Sequence, residues 1–124
     1  MAKRRLVVID DDPAFREVMA AALAEEFEVK TAADAETGIA ACRELAPALV
    51  LLDLCMPRVN GIKVARELHR EEATRGIPVL VCSAAYVEPG ARLELGLLGN
   101  VRRVMDKLSA LRQFQEAARA LAAA

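Results

Sequence analysis

The stretch "ALVLLDLCMPRVNG", residues 48–61, decides the fold of this chain and raises the first question about its function. Residues 48–52 are all apolar, and so short a run predicts a strand buried on both faces, as in a parallel sheet. The run ends on Asp53, which a Met-Pro pair and Gly61 follow. A carboxylate at the rim of an apolar core costs free energy unless a neighbouring group needs its charge. Asp53 is therefore the first candidate functional residue.

Composition predicts one globular domain over residues 1–124, because 55% of the residues are apolar and 28% are charged. The 17 lysines and arginines nearly balance the 18 aspartates and glutamates. The chain therefore lacks the excess of basic residues that would indicate binding to nucleic acid. The N-terminal apolar run is too short for a signal peptide, and no segment approaches the roughly 18 apolar residues of a membrane span. We expect a cytoplasmic protein with no membrane contact.

The three cysteines, Cys42, Cys55 and Cys82, fall in apolar stretches and are expected to be reduced thiols. Their spacing matches no zinc site, and the single histidine, His69, could not complete one. We interpret His69 as a surface residue of a helix.

Apolar runs of the strand type alternate with segments whose apolar residues recur every three or four positions, as in helices. The predicted strands are 6–9, 27–31, 48–52, 77–82 and 101–105. The predicted helices are 13–26, 34–45, a segment from 61 to about 76, 88–98 and 109–122. Pro89, Gly90 and Gly96 make 88–98 a poor helix, for which we expect mobility. Five strand–helix units in succession predict an α/β fold, a parallel sheet with helices on both faces.

Polar side chains follow four of the five predicted strands. They are Asp10, Asp11 and Asp12 after the first strand, Asp53 after the third, Ser83 after the fourth, and Asp106 and Lys107 after the fifth. In open α/β sheets, ligands bind outside the carboxyl ends of the strands, where the strand order reverses. We therefore expect these side chains to form one site.

Carboxylates that converge on one site raise each other's pKa, and a divalent cation relieves the repulsion. Oxygen ligands favour Mg²⁺, which keeps several waters and is often shared between carboxylates and a phosphate. A lysine and a hydroxyl beside a metal-bound carboxylate suit a dianionic phosphoryl group. The pattern predicts that Asp53 accepts a phosphoryl group, with the metal and Lys107 neutralising its charge.

Each of these residues also has a purely structural interpretation. An acid before a helix is often an N-cap, and this explains Asp12 better than chemistry does. Asp53 alone is explained as a turn residue, Ser83 as a cap of the next segment, and Lys107 as a solvated lysine. These separate structural interpretations do not explain why polar residues follow four strands in the expected chain order, so we favour a common site.

Over nearly its whole length the sequence resembles the receiver domain of two-component response regulators. The matching segments are LVVIDDDP, LVLLDLCMPRVNG, PVLVCSA and the lysine that follows the fifth strand, Lys107. The second segment is the most specific, since it combines an apolar strand, Asp-x-x-Met-Pro and a glycine four residues later. The resemblance implies a flavodoxin-like, doubly wound sheet of five parallel strands in the order 2-1-3-4-5.

The resemblance also implies a role for each site residue. Asp53 would be the phosphoacceptor, Ser83 would turn toward the phosphoryl group, and Lys107 would pair with that group. The Mg²⁺ ligands would be Asp10, Asp11, Asp53 and the backbone carbonyl of Cys55, with Asp11 a more direct ligand than Asp10.

The resemblance implies signalling rather than enzymatic turnover of other molecules. The phosphoryl donor would be a histidine kinase or a phosphotransfer protein, and hydrolysis would end the signal. Output would follow from a conformational shift and the docking of a protein partner. The expected docking face is formed by segment 88–98, the fifth strand and the last helix, and it carries Arg102 and Arg103.

Three departures from the family pattern concern the output rather than the chemistry. Leu108 replaces the usual proline after the lysine, so we expect a trans bond there and a different placement of Lys107. Val104 replaces the aromatic switch residue, and Arg102-Arg103 is an unusual pair for the fifth strand. Tyr86 is a candidate substitute for the missing ring, although a packing role explains it more simply.

Two further positions bear on the lifetime of the phosphorylated state. Cys55 and Ala85 lie two residues after Asp53 and Ser83, where the family's side chains border the path of the attacking water. Neither side chain orients a water well, so we expect a long-lived acyl phosphate.

Other functions stay open at this point. A degenerate receiver that docks partners without phosphorylation is favoured by Leu108 and Val104. An aspartate-nucleophile phosphatase of the haloacid-dehalogenase type would use Asp10, but Ala14 stands where it needs threonine or valine, and no cap insertion is present. A nucleotide-binding module needs glycines where the first strand–helix turn is acidic.

Overall fold

The computed structural model describes residues 3–56, 60–84 and 86–123, in which strands alternate with helices, two of them consecutive between the third and fourth strands. The strands are β1 (Arg4–Ile9), β2 (Phe27–Ala32), β3 (Leu49–Asp53), β4 (Val79–Ser83) and β5 (Val101–Asp106). The helices are α1 (Pro13–Leu23), α2 (Ala35–Leu45), α3 (Gly61–Arg70), α4 (Glu72–Arg75), α5 (Pro89–Leu97) and α6 (Leu111–Ala122). Within these residues, no helix is long and apolar enough to span a bilayer.

The five strands form one parallel sheet in the order β2-β1-β3-β4-β5. Residues of α1 and α6, such as Met19 and Phe114, pack on one face of the sheet. Residues of α2, α3 and α5, such as Cys42, Val64 and Leu95, pack on the other. The predicted flavodoxin-like, doubly wound α/β fold with helices on both faces is confirmed.

The apolar runs of the sequence are explained by burial on both faces of the sheet. Leu6 and Val8 belong to the core beneath α1 and α6, whereas Val7 and Ile9 belong to the core beneath α2, α3 and α5. All four side chains are fully buried. A strand covered on both sides carries no polar alternation, and this is why the runs in β1, β3 and β4 are continuous.

Several boundaries differ from the prediction for identifiable reasons. Helix α1 ends at Leu23 rather than residue 26, because the chain turns there, with Glu26 N–H donating to the Leu23 carbonyl, before β2 begins. The predicted helix after Gly61 is divided into α3 and α4. The fully buried Thr74 donates its hydroxyl to the Leu68 carbonyl at 2.7 Å, which holds α4 against α3.

Segment 88–98 forms helix α5 despite its proline and glycines. Pro89 lies in the first turn, where its missing N–H removes no intrahelical hydrogen bond. Leu95 is fully buried and anchors the helix to the sheet. Tertiary packing thus offsets the low helical propensity of this segment.

Gly61 permits a close approach between the end of β3 and the start of α3. A Cβ at this position would lie 2.5 Å from the Asp53 carbonyl oxygen and 2.7 Å from Leu54 Cα. Asn60 caps the helix, its Oδ1 accepting a hydrogen bond from Ile62 N–H at 2.9 Å. No other residue type fits at Gly61 without moving the backbone that carries Asp53.

Candidate functional site

Strand register brings the predicted site residues to one edge of the sheet. Ile9 pairs with Leu52, Asp53 with Cys82, and Ser83 with Asp106. Lys107 N–H continues this pattern by donating to the Ser83 carbonyl at 3.0 Å. The carboxyl ends of β1, β3, β4 and β5 therefore surround one site at the edge of the sheet, as the sequence predicts.

Lys107 reaches across the sheet to two carboxylates. Its Nζ lies 2.9 Å from Asp10 Oδ2 and 3.6 Å from Asp53 Oδ2. The Lys107 side chain is 15% exposed, and its Nζ lies 4.6 Å from the centroid of the Phe15 ring. Lys107 is thus no solvated surface lysine, and the bond to Leu108 is trans, as expected.

Three acids cluster beside this lysine. Asp10, Asp11 and Asp53 each offer a carboxylate oxygen, and these atoms lie within 4.8 Å of one another. Asp10 and Asp53 are buried, whereas Asp11 is exposed. Both carboxylate oxygens of Asp10 lie beside the Lys107 ammonium group, Oδ1 at 3.2 Å and the buried Oδ2 at 2.9 Å from Nζ. Such a set of hard oxygen donors can hold a metal ion.

Burial raises the pKa of Asp53 from its ordinary value of 3.8 to about 6, and repulsion from Asp10 acts in the same direction. A hydrogen bond from Cys55 N–H at 3.1 Å and the charge of Lys107 only partly oppose this rise. Burial also opposes the charge on Lys107, but its hydrogen bond to Asp10 prevails and raises the lysine pKa. The site therefore carries excess negative charge that a cation would relieve.

The loop after β1 explains Asp12 and adds a residue that the sequence did not indicate. Asp12 is the N-cap of α1, with its Oδ1 accepting from Ala14 N–H at 3.0 Å, so its structural interpretation is confirmed. Asp10 Oδ1 accepts from Asp12 N–H at 2.8 Å. Arg16, one turn into α1, donates to the Asp10 carbonyl at 2.8 Å and helps to fix this loop.

Ser83 and Cys55 face each other beside Asp53. Ser83 is buried, and its Oγ lies 3.7 Å from Cys55 Sγ. The interpretation of Ser83 as a helix cap is wrong, because the N-cap of α5 is Glu88. The interpretation of Asp53 as a turn residue is also wrong, because Asp53 lies within β3.

The expectation that all three cysteines lie in apolar surroundings is wrong for Cys55, which is exposed. Its position after the end of β3 takes it out of the core. Cys42 and Cys82 are buried, and burial raises the pKa of the Cys42 thiol to about 12. All three are free thiols, and His69 lies half-buried on α3.

A packing role for Tyr86 is also wrong, because this side chain is 80% exposed. It stands at the rim of a cavity of about 280 Å³ that is also lined by Ser83 and Val104. Two residues named in the sequence argument, Pro57 of the Met-Pro pair and Ala85, lie outside the described residues.

Fold and site together define a doubly wound α/β protein with an acidic, lysine-bearing site at the carboxyl edge of its sheet. The chain belongs to the response regulator receiver domain family, whose model matches residues 6–119. A solved receiver domain protein, described as CheY-like, from Methanospirillum hungatei superposes with a TM-score of 0.90 over 98% of this chain and 95% of that one. The two are 21% identical, so this likeness supports the fold.

Two curated relatives are DNA-binding regulators by name. The response regulator MtrA of Mycolicibacterium smegmatis is 40% identical over 83 residues, covering 66% of this chain and 35% of MtrA. The transcriptional regulator RpaA of Synechocystis is 40% identical over 81 residues, covering 64% of this chain and 34% of RpaA. The match thus spans about a third of each relative. The chain is a receiver domain of the two-component type, a signalling family.

Proposed function

We propose that residues 1–124 form a single receiver domain that accepts a phosphoryl group on Asp53 from a phosphohistidine donor in a Mg²⁺-dependent reaction. The observation that carries this proposal is the placement of Lys107, whose Nζ lies 2.9 Å from Asp10 and 3.6 Å from Asp53. An amine held between two buried carboxylates supplies positive charge where a dianionic phosphoryl group would arrive.

In the proposed transfer, a carboxylate oxygen of Asp53 attacks phosphorus while the bond from phosphorus to the donor's imidazole nitrogen breaks. The electron pair of that bond stays on the imidazole nitrogen. Asp53 must be ionised to attack, and a pKa of about 6 leaves it ionised at neutral pH. Lys107 and the Ser83 hydroxyl would then hold the phosphoryl oxygens.

The proposed Mg²⁺ ligands are Asp10, Asp11, Asp53 and the backbone carbonyl of Cys55. The support is the acidic cluster itself, in which carboxylate oxygens of Asp10, Asp11 and Asp53 lie within 4.8 Å of one another. Asp11 is exposed and is the proposed direct ligand, whereas Asp10 is shared with Lys107. A bound Mg²⁺ supplies the positive charge that lets several anionic oxygens share the site.

The proposal extends to partners and location. Output would come from a protein docked on the face formed by α5, β5 and α6, which includes Arg102 and Arg103, and this domain would contact neither nucleic acid nor membrane. It would turn over no substrate besides its own acyl phosphate. The free cysteines support a reducing compartment, and we propose the cytoplasm.

Intact-protein mass spectrometry after treatment with acetyl phosphate and Mg²⁺ tests the phosphoacceptor. We expect a gain of about 80 Da, the mass of one added phosphoryl group, and its loss in Asp53→Ala. Glu28→Ala is the control, because Glu28 is an exposed acid of β2, at the edge of the sheet away from β4 and β5. Labelling that persists in Asp53→Ala would overturn the assignment.

A degenerate receiver that docks without phosphorylation is the second candidate. It is favoured by Val104 at the aromatic position and by Leu108, which is 88% exposed. Amide NMR shifts during titration with beryllofluoride and Mg²⁺ separate the two candidates. Saturable shifts around Asp53 support phosphorylation, and their absence supports the degenerate receiver.

A further inference from the structure

Arg16 holds the loop between β1 and α1 at two points. Its guanidinium donates to the Asp10 carbonyl at 2.8 Å, and its backbone N–H donates to the Asp12 carbonyl at 3.1 Å. Asp11, the proposed direct Mg²⁺ ligand, lies between these two carbonyls in the chain. The backbone on both sides of Asp11 is therefore tied to one residue of α1.

Burial and bonding set Arg16 apart from the other arginines of the described residues. Arg16 is half-buried, whereas the others are exposed. Three consecutive acids lie in the preceding loop, yet Arg16 forms no ion pair with any described carboxylate and bonds to a carbonyl instead. Ion pairs with glutamates are formed by Arg43, Arg66, Arg70, Arg112 and Arg119. Arg16 thus constrains the main chain rather than neutralising a neighbouring acid.

The hydrogen bond from Arg16 to the Asp10 carbonyl fixes the planar peptide group that joins Asp10 to Asp11. The Asp10 side chain has restraints of its own, from Lys107 Nζ at 2.9 Å and from Asp12 N–H at 2.8 Å. Asp11 is exposed, so packing does not fix its carboxylate. The direction in which that carboxylate points depends on the backbone that Arg16 holds.

We propose that Arg16 is a positioning residue, which orients Asp11 through the Asp10 carbonyl and thereby sets the affinity of the site for Mg²⁺. Because Mg²⁺ demands a near-ideal arrangement of its ligands, a small displacement of one carboxylate lowers that affinity. Arg16 needs no contact with the metal for this role. The inference rests on the proposed function, since it concerns the Mg²⁺ site beside Asp53.

The positive charge of Arg16 would have the opposite effect if it acted alone. A cation near the acidic cluster repels Mg²⁺, so a neutral residue at this position would strengthen Mg²⁺ binding. Loss of the hydrogen bond to the Asp10 carbonyl would weaken binding instead. The sign of the change in affinity therefore distinguishes positioning from a simple effect of charge.

The variants Arg16→Met and Arg16→Lys provide the test, because methionine and lysine resemble arginine in helix propensity. Methionine removes both the charge and the donor, whereas lysine keeps a charged donor on a long side chain. Amide NMR shifts during Mg²⁺ titration of the full chain, without any phosphoryl donor, give the dissociation constants. We expect binding about tenfold weaker in Arg16→Met and close to the parent in Arg16→Lys.

Arg70→Met is the matched control, because Arg70 is an exposed arginine at the C-terminal end of α3 that pairs with Glu67 of the same helix. Its Mg²⁺ affinity should equal that of the parent. A second readout needs no metal. In EDTA, hydrogen exchange of the Asp12 amide, which donates to Asp10 Oδ1, should be several-fold faster in Arg16→Met, with the β3 amides unchanged.

The rate of labelling by acetyl phosphate as a function of Mg²⁺ concentration gives a third readout. In Arg16→Met we expect the Mg²⁺ concentration for half-maximal rate to rise about tenfold, whereas the maximal rate approaches that of the parent. This separation follows because Arg16 acts on binding of the metal and not on the phosphoryl transfer itself.

Unchanged or tighter Mg²⁺ binding in Arg16→Met would overturn the inference, and so would equal losses in Arg16→Met and Arg16→Lys. A fall in the maximal labelling rate with an unchanged Mg²⁺ requirement would also overturn it. A parent protein labelled on Asp53, with unchanged Mg²⁺ binding in Arg16→Met, refutes only the inference. A parent protein that binds Mg²⁺ through Arg16 as expected, but is not labelled on Asp53, refutes only the phosphoacceptor role.

Discussion

Asp10, Asp53 and Lys107 form a cluster of buried charges that stabilise one another. Two buried carboxylates would repel each other without the lysine, and the lysine could not stay charged in a largely buried position without the carboxylates. One positive charge against three acids still leaves the site negative. Burial leaves Asp53 with a pKa of about 6, which is the measurable consequence.

Replacing Asp53 with asparagine is expected to stabilise the metal-free protein above pH 6. The pKa of Asp53 is about 6 in the folded state against 3.8 ordinarily, so the folded state holds a proton that the unfolded chain releases. This favourable contribution is complete below about pH 4 and is lost as the pH rises through 6. A shift of about two units corresponds to at most about 3 kcal/mol.

Urea denaturation in EDTA at pH 4 and pH 8 measures this effect. Asp53→Asn should exceed the parent protein in stability at pH 8 and match it at pH 4. Glu28→Gln, at an exposed position of β2, is the control and should change neither value. Equal stability of Asp53→Asn and the parent at pH 8 would contradict the conclusion that the buried negative charge of Asp53 destabilises the folded protein.

Cys55 bears on how long a phosphorylated state lasts. Its side chain is exposed and its Sγ lies 3.7 Å from Ser83 Oγ, so it borders the proposed phosphoryl position without offering a strong hydrogen-bonding group. We expect a half-life well beyond seconds at neutral pH with Mg²⁺, and a several-fold shorter one in Cys55→Asn, whose amide can orient water. Loss of labelled mass over time measures both, with Lys30→Ala as the control. A half-life of seconds in the parent protein would contradict this expectation.

At the scale of secondary structure elements, two glycines with opposite surroundings show how the site is held. A Cβ at Gly61 would meet the backbone of Asp53 and Leu54, whereas a Cβ at Gly96 in α5 would meet nothing within 4 Å. Gly61 therefore sets the position of α3 against the end of β3. Gly96 only weakens its helix.

Alanine at these two positions should act in opposite directions. Gly61→Ala is expected to destabilise the protein by about 1–3 kcal/mol through overpacking, and to slow labelling by acetyl phosphate because the Asp53 backbone moves. Gly96→Ala should stabilise it by about 0.5–1 kcal/mol. The midpoints of urea unfolding measure both changes in stability. An unchanged midpoint for Gly61→Ala would show that the backbone at the end of β3 accommodates the added Cβ without cost.

The elements also show where the sequence was informative. The buried strands were predictable because their apolar runs are continuous, and α3 was predictable because its apolar residues recur at helical spacing. Val18 of α1 and Leu111 of α6 are apolar but 45% and 44% exposed, because both line a surface cavity of about 240 Å³ instead of the core. The break at Glu71, which divides the predicted helix from 61 to about 76 into α3 and α4, was missed because a four-residue helix shows no apolar period of its own.

At the scale of the whole molecule, topology explains why the acids meet. Strand order reverses at β1, which lies between β2 and β3, and the acids follow β1 and β3. The sequence predicted this meeting through the general rule for open α/β sheets. It did not predict that Lys107 lies nearer to Asp10 than to Asp53, or that Arg16 binds the Asp10 carbonyl. Those details depend on side-chain packing among α1, β1 and β5, which no local pattern records.

In the proposed site, acids of β1 and β3 share a cation beside the amine of Lys107, and this arrangement makes Asp53 a phosphoacceptor. The most direct test is the rate at which acetyl phosphate adds about 80 Da to the protein in Mg²⁺ and in EDTA, for the parent and for Lys107→Ala. We expect labelling that requires Mg²⁺ and falls sharply in Lys107→Ala. Equal labelling in EDTA, or an undiminished rate in Lys107→Ala, would contradict it.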